Sequence, residues 1–373
     1  MNAINEKKHR RSRPFRMSFF LGALLCAFLM MTLTGKAFSQ VPRGVFCLFP
    51  SGKKGKATTF TNPDVDGVSV RQDWAVLEPS EGAFDWTYLD LMVAQAATGG
   101  KSVLLRIGTG GGDAALGGSA PTWVINAVKA ENLPASQKFY TFDDHGTSRT
   151  IAVFWDPVWL AKKTAMITAL GGRYSSNPLV KIASASFANA NTEDWGVPHT
   201  APEVTAWFNA GYTSDKMLAA GKQIIDATMT AFPNQCVTLA VAGNGHVGAT
   251  GNLDPDASYV ARNAVLNARA SWPGRLIVQK NSLSTYIPAA PGTGTLWELE
   301  WDSQPQVAGQ MVYWCYGDTT YRVNGGVAIN PSTALTNSVD NGVAYGMKYI
   351  EIYHKDILNL TTATHYAHTV LTK

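Results

Sequence analysis

The chain has 373 residues, with 31 Lys+Arg against 27 Asp+Glu and four cysteines. Seven of the basic residues and one of the acids fall in the first 39 positions, so the remainder carries 24 against 26 and is close to neutral. That balance gives no support for a nucleic-acid partner. With no CxxC pair and no His-rich tract, the three later cysteines (Cys47, Cys236, Cys315) argue against structural zinc and allow at most one disulfide.

The N-terminus carries Lys7, Lys8, Arg10, Arg11, Arg13 and Arg16, then an apolar run over 17–33, then Ala37-Phe38-Ser39 before Gln40. A basic region, an apolar region and a small-residue cleavage site predict a secretory signal peptide over 1–39, with export to the periplasm or the medium. The alternative is an uncleaved N-terminal anchor, since about seventeen apolar residues is the lower limit for spanning. Leu25 directly before Cys26 argues against a lipoprotein cleavage box. After cleavage, no stable membrane span is expected.

Eight short β-rich runs follow in chain order, at 44–48, 67–71, 102–107, 180–187, 237–242, 276–279, 307–313 and 347–353. Helical patterns separate them, the clearest at 86–97, 157–170, 202–232, 259–270 and 332–345. Strands alternating with helices imply a parallel sheet, and eight repeats predict a single (β/α)8 TIM barrel over 40–373. Strand seven has a competitor in Leu296-Trp297-Glu298-Leu299-Glu300-Trp301. Nothing helical would then separate that run from 309–313, so a short helix at 295–303 followed by strand seven at 307–313 is preferred.

In such barrels the chemistry sits at the C-terminal strand ends. The loops there read "GTGGGDAALGGSAPTW" (108–123), "ANANTEDWGVPH" (188–199), "GNGH" (243–246), "KNSLSTY" (280–286) and "WCYGDTTYRVNGG" (314–326). They are rich in Asn, Asp, Trp and Tyr and poor in Lys and Arg. Aromatic faces can stack on the C–H faces of a sugar while amides and acids take its hydroxyls, so a neutral oligo- or polysaccharide is the expected partner. The Gly-rich run at 108–118 lacks both G-x-x-x-x-G-K-[ST] and GxGxxG, so it predicts no nucleotide site, and no cofactor is expected.

The stretch "VSVRQDWAVLEPSEGAFDWTYLD" (68–90) resembles the strand-two region of (β/α)8 glycoside hydrolases, especially the β-galactosidase-like families. "APTWV" (120–124), "WDPVWLAKKTAMITALGGRY" (155–174) and "YGMKYIEIYHKDI" (345–357) are similar to bacterial members of that superfamily. The resemblance implies an acid/base glutamate at the end of strand four, usually directly after Asn, and a nucleophilic glutamate at the end of strand seven. Here Thr192 separates Asn191 from Glu193, and strand seven offers Gln310.

Glu193 is therefore the expected acid/base, against a reading as a helix-capping or surface acid. Two carboxylates compete for the second role. Glu351 in strand eight shares a face with Tyr349 and Tyr353 by the period of two, so it points inward; Glu300 would serve if strand seven were 296–301. The alternative for Glu351 is a buried acid paired with Arg or Lys inside the barrel, a place that Arg71 could fill. Arg71, Trp74, Asn191, His246, Asn281, Gln310, Tyr313 and Tyr353 are the expected sugar contacts. Glu78 and Glu81 are read as turn residues, Phe84 and Trp86 as anchors of the next helix, and Asp85 as its cap. Paired carboxyls roughly 5 to 5.5 Å apart would give retention and roughly 6.5 to 9.5 Å inversion. The main rival is a non-catalytic carbohydrate-binding barrel lacking the strand-seven nucleophile, and a structural envelope protein is a third reading.

Overall fold

The computed structural model describes residues 40–109, 114–116, 118–144, 147–185, 201–241, 259–317, 323–324 and 327–373. Asn191, Glu193 and His246 lie outside them. Eight strands close into an all-parallel barrel: β1 (Gly44–Leu48), β2 (Gly67–Asp73), β3 (Ser102–Gly108), β6 (Val180–Ser184), β7 (Cys236–Ala240), β8 (Leu276–Leu283), β9 (Val307–Met311) and β12 (Tyr349–Tyr353). β1 closes the ring by pairing with both β12 and β2. These are the eight expected strands in the expected order, with ends shifted by a few residues.

Alternation decides what each strand contributes. Outward residues such as Val45, Val68, Val70, Val103, Leu105, Leu239, Val278 and Ile350 pack under the helical layer. Inward residues Phe46, Leu104, Ile182, Cys236, Ile277, Ala308 and Tyr349 form a separate apolar cluster across seven strands, the floor of the lumen. The eighth strand contributes Gly67, because a Cβ there would stand 2.4 Å from the Phe46 ring. Among the described residues no helix is long and apolar enough to cross a membrane.

Local chemistry explains where the sequence reading held and where it did not. Leu296–Asp302 is a helix, capped by Thr295, whose hydroxyl accepts the Trp297 amide at 3.1 Å; strand seven of the barrel is therefore β9, as preferred. The single helix expected over 202–232 is two, Ala201–Asn209 and Ser214–Ala231. Gly211 turns the chain at φ +83°, and the Thr213 hydroxyl caps the second helix on the Lys216 amide.

A hairpin of β4 (Phe139–Asp144) and β5 (Thr147–Ala152), not anticipated, interrupts the third βα connection. It docks through an aromatic cluster: Tyr140, Phe154 and Trp155 meet fully buried Trp207 edge-on at 4.9, 5.7 and 5.2 Å. A two-residue ribbon of β10 (Val323–Asn324) and β11 (Val327–Ala328) follows β9.

Asp156 starts the helix Pro157–Tyr174 by accepting the Trp159 amide at 2.7 Å. Burial pushes its carboxyl up to about 7; the amide bond opposes that shift and the neighbouring Glu131 carboxyl reinforces it. An unfolded Asp titrates near about 3.9, so the folded chain holds an extra proton between the two values. Stability is then greatest at the acidic end and falls as pH rises from about 4 through about 7. Thermal melts across that range should show this decline, and Asp156→Asn, which keeps the cap, should flatten it. An unchanged slope in the variant would assign the titration elsewhere.

Candidate active site

Above the apolar floor the lumen turns polar. Arg106 in β3 spans it and donates through Nη2 to both oxygens of Glu351 in β12, at 3.1 and 3.2 Å. Its Nη1 donates to Gln310 Oε1 in β9 at 3.1 Å. Gln279 in β8 donates to Glu351 Oε2 at 3.3 Å and to Asn281 Oδ1 at 2.7 Å. Its own carbonyl accepts the Tyr349 hydroxyl at 2.9 Å and the Thr238 hydroxyl at 3.1 Å. Arg106 is 1% exposed and Glu351 0%, so both charges have left water and each depends on the other. Burial first, and the Glu351 charge second, push the Tyr349 hydroxyl well up and hold it neutral as a donor.

Glu351 faces the lumen, as period two predicts, and its base is Arg106 instead of Arg71. The two arginines are Cα partners on neighbouring strands and share the inward face. Arg71 turns its Nε to the Phe49 carbonyl at 3.0 Å. Gln310 and Glu351 are also Cα partners, so the strand-eight acid stands level with the strand-seven amide.

Glu300 does not reach the lumen. It is fully buried on the helix Leu296–Asp302, and burial drives its carboxyl well above the usual range against the pull of Lys280 and Arg269. Lys280 alternates with inward Gln279 and lies against the helical layer, its ammonium 5.4 Å from the Trp297 ring centre. The premise that made Glu300 a nucleophile, a strand at 296–301, is replaced by that helix.

Trp74 is fully buried and contributes no free face. Its indole donates to Glu78 Oε2 at 2.7 Å and its ring meets Trp123 and Trp159 edge-on. Glu78 also accepts the Gly82 amide through its other oxygen, which makes it the structural acid expected of the turn. Asp85 accepts the Thr87 amide at 2.9 Å, and Phe84 stacks on Trp86 at 4.9 Å. Asn281 is buried on Gln279, and Tyr313 belongs to the core. Tyr353 remains half-buried at the mouth.

The loop after β9 supplies stacking surface. Trp314 and Tyr316 are 37% and 51% exposed, enough for a ring face to meet a ligand. Asp356, fully buried, accepts the amides of Cys315 and Tyr316, each at 2.8 Å, and so fixes the backbone between the two rings. Trp314 meets Tyr353 edge-on at 6.0 Å, with the Lys355 ammonium 4.6 Å from its ring centre. Arg106 and Gln279 escaped the sequence reading, although a charged residue two positions after inward Leu104 was a usable signal.

With this geometry in hand, the comparisons are specific about fold. The family model described as Beta-galactosidase matches residues 54–191, from ahead of β2 to beyond β6. The catalytic domain of a beta-amylase from Paenibacillus polymyxa superposes with a TM-score of 0.54 at 10% identity, covering 88% of this chain and 98% of that one. A beta-galactosidase from Rahnella sp. R3 gives 0.51 at 12% identity over 90% of this chain, which spans 56% of that protein. Comparison with curated protein sequences finds no match. The chain thus folds as a (β/α)8 barrel and is similar over residues 54–191 to the beta-galactosidase family. Its β-galactosidase-like sequence runs across the second to fourth barrel strands, which bears out the resemblance of the strand-two block.

Removing one partner of the lumen pair strands a buried charge, so Glu351→Ala and Arg106→Met should each cost ~3–5 kcal/mol in urea unfolding. The double variant Arg106→Met/Glu351→Met should lose less than the two single costs summed, because neither charge is then orphaned. Additive costs would show that the two side chains act independently.

Proposed function

We propose that this chain is an exported glycosidase that cleaves O-glycosidic bonds of a neutral oligo- or polysaccharide, with residues 1–39 removed on secretion. The observation that carries the reading is the β-galactosidase-family sequence over 54–191 inside a closed (β/α)8 barrel, ending two residues before Glu193. The exposed rings of Trp314 and Tyr316 support a saccharide occupant at the mouth.

In this reading Glu193 protonates the leaving oxygen as general acid/base. Glu351 is the partner carboxylate, displaced by one strand from the family's strand-seven position and level with the Gln310 that stands there. Arg106 joins the two by donating to both.

A second reading, a carbohydrate-binding barrel without turnover, draws on a specific observation. Strand seven of the barrel carries an amide, and Glu351 is fully buried and charge-balanced by Arg106. The test is turnover of aryl β-galactosides, β-glucosides and β-xylosides, with plant and algal oligosaccharides, by residues 40–373. The glycosidase reading expects cleavage, and a loss of about 10²-fold or more in Glu193→Gln and in Glu351→Gln. Binding without cleavage would establish the second reading. Unimpaired turnover in Glu193→Gln would place the acid on another residue.

A further inference from the structure

Asp73, the last residue of β2, shares the inward face with Gly67, Ser69 and Arg71 and so presents its carboxylate to the C-terminal mouth. It occupies the N-cap position of the short helix Trp74–Leu77, where an aspartate would ordinarily accept a helix amide, yet its side chain makes no cap hydrogen bond. Instead its Oδ1 accepts two hydroxyls from the flanking loops: Ser51 Oγ after β1 at 3.0 Å and Ser119 Oγ after β3 at 3.2 Å. Both donors fall on one oxygen. Oδ2 has no hydrogen-bond partner among the described residues, and the Asp73 side chain is only partly buried, so the second oxygen is not sealed from solvent.

The neighbouring backbone argues against a purely structural tie. The loop bearing Ser51 is already pinned by Gly52 N to Arg71 O at 2.9 Å, and Ser119 by its own carbonyl, which accepts the Ala75 amide at 2.9 Å. Across the strand pair, the residue level with Asp73 is Gly108, where a Cβ would stand 3.1 Å from Oδ1. A glycine there keeps the carboxylate's space clear. Two hydroxyl donors on one oxygen, an open second oxygen and an emptied neighbour make a pre-oriented acceptor.

Building on the glycosidase reading, we infer that Asp73 is a substrate-binding residue whose Oδ2 accepts a ring hydroxyl of the saccharide. It is a binding contact and takes no part in bond cleavage. Its ligand class is the neutral polyol of the glycosidase reading: the carboxylate accepts from hydroxyl donors and repels an acidic sugar.

Asp73→Asn is the discriminating variant. The amide oxygen can keep both serine bonds, while the Nδ2 that replaces Oδ2 becomes a donor. Residues 40–373 and the variant are compared on the same aryl glycosides and oligosaccharides, by calorimetric Kd, or by KM and kcat where cleavage occurs, beside thermal midpoints. The inference expects affinity to fall about tenfold or more at an unchanged midpoint, with the loss in Kd or KM. Gly108→Ala, which crowds Oδ1 from the opposite strand, should weaken binding in the same direction and serves if Asp73→Asn folds poorly.

Equal affinity in either folded variant would overturn the inference while leaving the glycosidase reading intact. A lower midpoint with unchanged affinity would reduce Asp73 to a loop tie. Failure of the wild type to bind or cleave any saccharide would overturn both.

Discussion

The polar layer of this barrel depends on one interaction, the fork of Arg106 on Glu351. The interior of a (β/α)8 barrel is ordinarily filled by layers of branched apolar side chains. Here the floor obeys that rule, and the layer above it replaces hydrocarbon with a guanidinium, a carboxylate and two glutamine amides. Desolvating either charge alone would cost several kcal/mol, so the pair persists because each charge is matched and hydrogen-bonded. Its geometry propagates: the same guanidinium orients Gln310, and the same carboxylate takes Gln279, which in turn holds Asn281, Thr238 and Tyr349. Five barrel strands, β3, β7, β8, β9 and β12, are thereby joined across the lumen.

This network gives the mouth a rigid polar base. In the proposed reading the loops above it divide the work between hydrogen bonding and stacking: Asp73 near β1 to β3, and the exposed rings of Trp314 and Tyr316 after β9. The loop after β9 gets its order from Asp356, a buried acid that spends both oxygens on backbone amides. A saccharide needs that division, since its hydroxyls and its C–H faces call for different partners.

The strand order was legible because each strand is a short β-rich run separated from the next by a helix or a long loop, and the spacing to 307 favoured a helix at 295–303, which the structure caps with Thr295. The inward direction of Glu351 followed from period two alone. Its partner did not: Arg71 and Arg106 are level, adjacent and equally inward, and only the Phe49 carbonyl draws Arg71 aside. The block at 73–86 shows the same limit. Pro79 and Gly82 mark the turn, but nothing in one dimension says that Glu78 holds the Trp74 indole four residues back and so buries it. The β4–β5 hairpin was missed because its docking surface, Trp207 and Tyr212, comes more than fifty residues later in the chain.

The most direct test of the account is a crystal structure of residues 40–373 with the saccharide that binds or is cleaved best. The account predicts a sugar across the C-terminal mouth, one hydroxyl within about 3 Å of Asp73 Oδ2 and a ring face on Trp314 or Tyr316, with the Arg106–Glu351 fork intact beneath it. A sugar bound on the outer helical layer, or at the N-terminal end of the barrel, would contradict it.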